Sequence, residues 1–311
     1  MQFKVEASAL NLRSEPVVRA ATRLAVLPHG HEVTRLEDAG GGWWKVATNF
    51  RGSRLEGFVA HRFLTPLADF TVPPPRQAIS AVHLAENRPD ITRDRDGGRA
   101  FPLGETPRPS RRPRATPAEQ AADLGGIVAW LDVERRVRYL PKAATTFCNI
   151  YACDYCYLAG VYLPRVWWRP GAIAALAAGR EVIPRYGETI HELNANSLYD
   201  WLDDFGPQFG WKRVFDLTTL QEAANAGGIG LICAQRRNLN FSGHICVVVP
   251  ERNGHRARRE PDASRVREGD GTTPIVRAPL QSQAGRTNFR YGTPVWWTST
   301  RFRAFGFWVA A

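Results

Sequence analysis

The spacing of apolar residues changes near residue 119, and this change constrains the fold more than any other feature. Residues 1–67 hold short apolar runs separated by glycine and proline, a pattern typical of short strands in a small barrel. From Ala118 onward the apolar residues recur at helical spacing, and after Gly228 the chain returns to strands. Helices followed by antiparallel strands predict an α+β domain over residues 119–311.

Residues 68–118 separate these two predicted domains. Pro73–Pro75 and the segment 107–117 are rich in proline, and several arginines accompany them. Such a composition favours extended chain without a core of its own. The sequence therefore predicts a linker between a barrel at residues 1–67 and a larger domain at residues 119–311.

Three spaced motifs in the first 67 residues resemble those of bacterial SH3-like domains. They are an opening motif Leu10–Pro16, a middle strand Trp43–Val46, and a closing motif Gly57–Ala60 with Phe63-Leu64. The resemblance implies a small β-barrel that binds cell-wall peptides or glycans. The alternative is that the barrel only packs against its neighbour, because a fold alone does not set a function.

Cys148 lies in the first turn of a predicted helix, Phe147–Leu158. The positive end of the helix dipole stabilises a thiolate at this position, and the thiolate is the reactive form of cysteine. The backbone N–H of Cys148, with Thr146 as a second donor, is a candidate oxyanion site. Asn149 is expected to support the start of the helix. These residues predict a nucleophilic cysteine.

His244 follows Gly243 at the beginning of an apolar strand, Ile245–Val249. This position puts an imidazole at the rim of a sheet. A cysteine at a helix start followed by a histidine at a strand start, in that chain order, is the arrangement of papain-like enzymes. The sequence therefore predicts that His244 is the base for Cys148.

Around these two residues the chain resembles NlpC-type and CHAP-type cysteine peptidases, over about residues 140–290. The resemblance implies hydrolysis of an amide bond in the peptide part of peptidoglycan. The chain departs from these families in a long insertion, Leu163–Gly187, and a further predicted helix. Trp167 and Trp168 in the insertion are candidate substrate-binding residues that would face a sugar ring. The alternative is that both are core residues.

The third catalytic residue should accept the second N–H of the His244 imidazole. If the strand at Ile245 pairs with a strand at Ile275 as an antiparallel hairpin, the far end of the second strand lies near His244. Gln281 and Gln283 occupy that end, and the amide oxygen of either would serve. The weaker candidates are His191, Asn194 and Asn196.

The net charge of +11 predicts attraction to polyanions, including cell-wall polymers. The arginines are scattered along the chain, whereas a nucleic-acid footprint is usually clustered. No nucleic acid is therefore expected as a partner. No membrane is expected either, because no run of the sequence is long and apolar enough to span a bilayer. Neither a cofactor nor a metal is required by the Cys-His chemistry. A zinc site built from Cys148, Cys153, Cys156 and His244 is an alternative, disfavoured because the cysteines fall within an apolar helix.

The residues 1–16 lack the basic and apolar regions of a secretory signal. We expect a monomer made in the cytoplasm that reaches the cell wall through a secretion apparatus or phage lysis. Peptidoglycan is the expected partner, with an immunity protein or inhibitor as a further candidate. Two alternatives stay open: a basic binding protein with an inactive papain-like scaffold, and a Cys-His protease or deamidase that acts on proteins.

Overall fold

The computed structural model divides the chain into two compact units, Met1–Arg76 and Gln77–Ala311. It describes residues 1–7, 9–28, 30–50, 53–69, 79–252, 254–261 and 274–311. Each unit has its own hydrophobic core.

The first unit is an antiparallel sheet of short strands, as its sequence predicts. Its described strands are β1 (Gln2–Val5), β2 (Ala9–Arg13), β3 (Arg23–Pro28), β4 (Glu32–Gly40), β5 (Trp43–Phe50), β6 (Ser53–Ala60) and β7 (Leu64–Pro66). They are hydrogen-bonded in the order β3-β2-β6-β5-β4-β1-β7. Alternate apolar residues of these strands, such as Val5, Leu12, Val46 and Val59, are buried in one core.

Gly57 of β6 lies where two strands of this sheet come too close for a side chain. A Cβ atom at Gly57 would lie 2.5 Å from the backbone oxygen of Arg13, where β2 and β6 meet. A side chain at this position would therefore push the two strands apart.

The second unit contains the predicted helices. They are α1 (Pro117–Leu131), α2 (Cys148–Leu158), α3 (Pro170–Ala177), α4 (Ala195–Asp204) and α5 (Leu217–Asn225). Thr116 and Glu119 form a capping box at the start of α1. The sequence offers Asn196 or Ser197 as the cap of α4. The cap in the structure is Asn194, whose side-chain oxygen accepts from the N–H of Ser197.

The strands of the second unit follow and interleave with these helices. They are β8 (Val166–Trp168), β9 (Ile190–Glu192), β10 (Lys212–Val214), β11 (Ile229–Arg236), β12 (His244–Val248), β13 (Arg258–Glu260), β14 (Ile275–Ala278), β15 (Gln281–Gln283), β16 (Phe289–Gly292) and β17 (Phe302–Ala310). The main antiparallel sheet has the order β10-β17-β11-β12-β15-β16. This arrangement confirms the predicted α+β class.

Helix α2 lies against β12 and is tied to β15. Residues Ile245 and Val247 of β12 share a core with Ile150 and Tyr151 of α2. The Tyr151 hydroxyl lies 2.6 Å from Ser282 Oγ. The first residue of α2 is therefore held close to the first residue of β12.

Two details of strand pairing differ from the prediction. The strand beginning at Ile275 is interrupted, and its first part, β14, pairs with β13 rather than with β12. The second part, β15, pairs with β12 through Val247↔Ser282 and Val248↔Gln281. Residues 294–297 also have the apolar character of a strand, but in the structure they are irregular chain that leads into a turn, with Trp296 and Trp297 packed in a hydrophobic cluster.

Most of the predicted linker is packed onto the second unit. Residues 70–78, including Pro73–Pro75, lie outside the described residues, but Ile79, Val82 and Leu103 are buried in the core of that unit. The few apolar residues of this segment are each used in packing. The prediction of a linker was therefore wrong over residues 79–116. The overall composition of a segment does not show that a few of its apolar residues are buried in a neighbouring core.

Candidate active site

Cys148 is the first residue of α2 and is only 2% exposed. No side chain caps this helix end. The backbone N–H groups of Asn149 and Ile245 instead donate to the Cys148 sulfur. The sulfur therefore lies at the positive end of the helix, among donors that favour a thiolate.

His244 is the first residue of β12 and pairs with Ala234 of β11. Its imidazole is hydrogen-bonded to the Cys148 thiol. The preceding residue, Gly243, allows this approach: a Cβ atom there would lie 2.3 Å from Ala234 O and 2.7 Å from Asn196 Oδ1. The glycine that the sequence placed before the histidine is thus required by the local packing.

Gln283 completes a chain of three side chains. Its Oε1 lies 2.7 Å from His244 Nε2, while its Nε2 donates to Thr287 O over 3.2 Å. The second bond fixes the orientation of the amide, so that Oε1 accepts from the Nε2–H of the imidazole. The other ring nitrogen, Nδ1, is left to exchange a proton with the Cys148 thiol.

Gln281, the second glutamine expected at this site, lies elsewhere. It is fully buried, and its Oε1 accepts from Cys246 Sγ and from Trp296 Nε1. The structure therefore separates the two glutamines, since the bonds of Gln281 go to neighbours of His244 and not to His244.

Trp296 is a residue at the site that the sequence did not single out. Its ring meets the His244 imidazole edge-on, with centroids 4.5 Å apart. This contact places an apolar wall beside the hydrogen bond between His244 and Gln283. The Trp296-Trp297 pair was visible in the sequence, but only the turn after β16 brings it to the histidine.

The two partners shift each other's titration in opposite directions. Burial raises the pKa of the Cys148 thiol, but the hydrogen bond and charge of His244 and the two N–H donors outweigh it, so the pKa is lowered. Burial lowers the pKa of His244, but Cys148 and then Gln283 raise it above its ordinary value. Both shifts favour a thiolate beside an imidazolium.

Trp167 and Trp168, predicted to bind substrate, are core residues. They are 4% and 3% exposed. Trp168 Nε1 donates to Ser80 O, and the Trp167 ring packs against those of Trp201 and Phe205. The prediction of a sugar platform was wrong because the residues of the packed segment after 78 cover this face.

The remaining candidates have varied positions. Asn149 Nδ2 donates to Leu193 O and so ties α2 to the chain before α4. Thr146 is half-buried just before α2, and its role as an oxyanion donor stays a prediction. His191 lies opposite Trp167 in the β8–β9 pair. Asn194 caps α4, and Asn196 bonds to the backbone of Phe241 and Arg236.

The pKa values of the other four cysteines shift in the opposite direction to that of Cys148. Burial raises the pKa of Cys153 to about 12 and raises the pKa of Cys156, Cys233 and Cys246 as well.

Within the ranges that the structure describes, no three His, Cys, Asp or Glu side chains are grouped to hold a metal ion. In the same ranges, no helix combines the length and the apolar character needed to cross a bilayer.

The first unit carries a polar cleft of about 580 Å³, lined among others by Gln2, His31, Thr48 and Arg54. Thr48 Oγ1 donates to Glu32 O and lies 2.6 Å from His31 Nε2. The hydroxyl therefore accepts from the Nε2–H of the imidazole, which fixes the tautomer of His31.

Comparison with known proteins identifies the first unit. The search of curated proteins gave no match. Two solved structures are similar to the chain at 12% identity, NlpC2 and NlpC1 from Trichomonas vaginalis. The first likeness covers 94% of this chain and 71% of the other with a TM-score of 0.18, and the second covers 89% and 69% with 0.17. Residues 8–65 match the family described as Bacterial SH3 domain, so the N-terminal unit is a bacterial SH3-like domain.

Proposed function

We propose that this chain is a peptidoglycan hydrolase that cleaves an amide bond of the cell-wall peptide, with Cys148 as nucleophile and His244 as base. The observation that carries the proposal is the hydrogen-bonded series Cys148–His244–Gln283, in which the pKa of the thiol is lowered and that of the imidazole raised. The bacterial SH3-like domain supports the cell wall as the place of action.

The mechanism follows from the positions of the three side chains. The Cys148 thiol gives its proton to His244 Nδ1, and the thiolate attacks the amide carbonyl. Gln283 holds the imidazole in the tautomer that accepts this proton. The backbone N–H of Cys148 stabilises the oxyanion, with Thr146 as a further donor.

Breakdown of the intermediate uses the same proton. His244 protonates the leaving amine as the carbon–nitrogen bond breaks, which leaves a thioester on Cys148. A water molecule, deprotonated by His244, then attacks the thioester and releases the acid and the thiol. No step requires a group beyond these residues and water.

The SH3-like domain is proposed to hold the enzyme on its polymer. Binding of the cleft around His31 to wall peptide or glycan would raise the concentration of scissile bonds near Cys148. The enzyme is proposed to reach the wall as a monomer, through a secretion apparatus or after phage lysis, and an immunity protein or inhibitor is a proposed partner.

The decisive experiment is digestion of purified peptidoglycan sacculi by the wild type and by Cys148→Ala, followed by mass spectrometry. We expect new amino termini or shortened stem peptides from the wild type and a loss of at least about 10⁴-fold in the variant. Cys153→Ala is the matched control, a buried thiol of the same helix, and should release the same fragments as the wild type. Equal release by Cys148→Ala would refute the proposal.

A further inference from the structure

Four arginines lie at the end of the main sheet where His244 begins β12. Arg236 is the last residue of β11, and the N–H of Arg237 donates to Arg301 O just before β17. Arg286 follows Gly285 in the turn after β15 and is exposed. Antiparallel pairing of β17, β11, β12 and β15 brings these positions to one edge of the unit.

Two of these guanidinium groups bond to backbone oxygens of the chain. Arg236 Nε donates to Ser242 O and Arg237 Nε to Thr300 O. In the part of the chain that the structure describes, none of the four arginines forms an ion pair. By contrast, Arg138 is paired with Asp154 inside the same unit. Among the residues that the structure describes, the edge beside His244 therefore carries positive charge that has no acidic partner.

A series of ring contacts connects this charge with the catalytic histidine. The Arg236 guanidinium lies 5.1 Å from the centre of the Phe302 ring. Phe302 meets Trp296 edge-on at 5.6 Å, and Trp296 meets His244 at 4.5 Å. The charge of Arg236 reaches the imidazole, where it acts to lower the pKa of His244 against the larger effect of Cys148.

The segment that carries Arg286 borders the histidine from the side of β15. A Cβ atom at Gly285, the residue before it, would lie 3.6 Å from His244 Cε1. Arg236 and Arg286 thus belong to segments on different strands that both border the imidazole. A planar guanidinium binds a carboxylate through two parallel hydrogen bonds, and an unpaired one does so without breaking an existing ion pair.

We propose that Arg236 and Arg286 make this enzyme selective for peptides that carry a free carboxylate near the scissile amide, over the same peptides with that carboxylate amidated. This inference deepens the proposed function and rests on it for the identity of the peptide. Arg237 and Arg301 extend the positive field and speed the encounter with acidic polymer.

The test measures binding separately from hydrolysis. Calorimetry on full-length Cys148→Ala would compare a synthetic peptidoglycan tetrapeptide with free carboxylates and the same tetrapeptide with its side carboxylates amidated. We expect the free acid to bind about tenfold more tightly. Adding Arg236→Gln or Arg286→Gln should weaken the free acid about three- to tenfold and leave the amidated peptide unchanged.

Arg180→Gln is the matched control, because Arg180 is an exposed arginine after α3 and the substitution removes the same charge. Arg236→Lys should restore part of the selectivity, which distinguishes loss of charge from loss of the bond to Ser242. Equal affinity for the two peptides, or the same loss in Arg180→Gln, would overturn the proposal. So would a DNA oligonucleotide that binds more tightly than the free acid and depends on the same arginines.

The two proposals fail in different ways. If the free acid is selected through Arg236 but sacculi are not cleaved by the wild type, the hydrolase assignment is wrong and the binding inference stands. If sacculi are cleaved but neither arginine affects the choice of peptide, the hydrolase stands and the inference is wrong.

Discussion

Helix α2 holds two buried thiols whose pKa values shift in opposite directions. Cys148 and Cys153 are 2% and 5% exposed, and burial acts to raise the pKa of both. The pKa of Cys153 rises to about 12, with Pro164 O as the acceptor near its sulfur. The pKa of Cys148 falls, because His244 and two N–H groups meet it. The lowered pKa of Cys148 thus depends mainly on His244 and Ile245, which lie on β12 and not on α2.

The largest expected difference between the two thiols is in alkylation. Iodoacetamide at neutral pH should modify Cys148 at least about 10³ times faster than Cys153, because the pKa of Cys148 is lowered whereas that of Cys153 is raised to about 12. Since the pKa of Cys148 is lowered, its rate should reach a plateau at lower pH than that of an ordinary thiol. Peptide mapping by mass spectrometry over a range of pH would measure both.

Loss of the histidine should erase this contrast. In His244→Ala, the burial that raises the pKa of Cys148 is offset only by the backbone N–H groups of Ile245 and Asn149, so the midpoint of its alkylation profile should move upward. A profile that does not move in His244→Ala would show that the helix end alone activates the sulfur.

A smaller effect is expected at Gln283, which touches the histidine and not the sulfur. Gln283→Ala should lower kcat for peptidoglycan fragments about 30- to 100-fold with little change in KM, because the imidazole loses the acceptor that fixes its tautomer. Gln283→Asn keeps the amide one carbon short and should recover only part of the rate. Steady-state kinetics of Gln283→Ala equal to those of the wild type would remove this residue from the mechanism.

The smallest expected effect concerns stability, to which Cys153 contributes although it has no part in the proposed chemistry. Cys153→Ala should lower the free energy of unfolding by about 1 kcal/mol, because it removes a buried atom from a packed helix, and should leave kcat/KM unchanged. Denaturant titration would measure the change, with Ala152→Gly as a reference for a disturbed helix. A loss of activity in Cys153→Ala without unfolding would place this thiol in the mechanism.

Much of the fold followed from local sequence patterns. The apolar spacing predicts helices over residues 118–137, 147–158, 172–178, 196–205 and 217–226. They correspond to α1 to α5, with the largest difference at the end of α1, since amphipathic spacing and capping residues are local signals. The pairing of Cys148 with His244 also followed, because each begins its element and the chain order is that of papain-like enzymes. The choice between Gln281 and Gln283 could not follow, because it depends on where Trp296 and Thr287 lie.

Two errors share one cause. The packed segment beginning at Ile79 was assigned to a linker, and Trp168 to a substrate platform, yet Trp168 Nε1 donates to Ser80 O within that segment. Composition cannot predict this hydrogen bond, because it joins residues that are far apart in the chain. Correct placement of one would have corrected the other.

The sequence by itself determined the elements of this protein: a bacterial SH3-like sheet, a thiol at a helix start and a histidine at a strand start. These features depend on spacing, capping and glycine positions within a few residues of each other. Only the tertiary structure decided which glutamine holds His244 and which arginines border it. The physical reason is that hydrogen bonds and charge contacts act over a few ångströms in space, and strand pairing alone sets which distant residues come within that range.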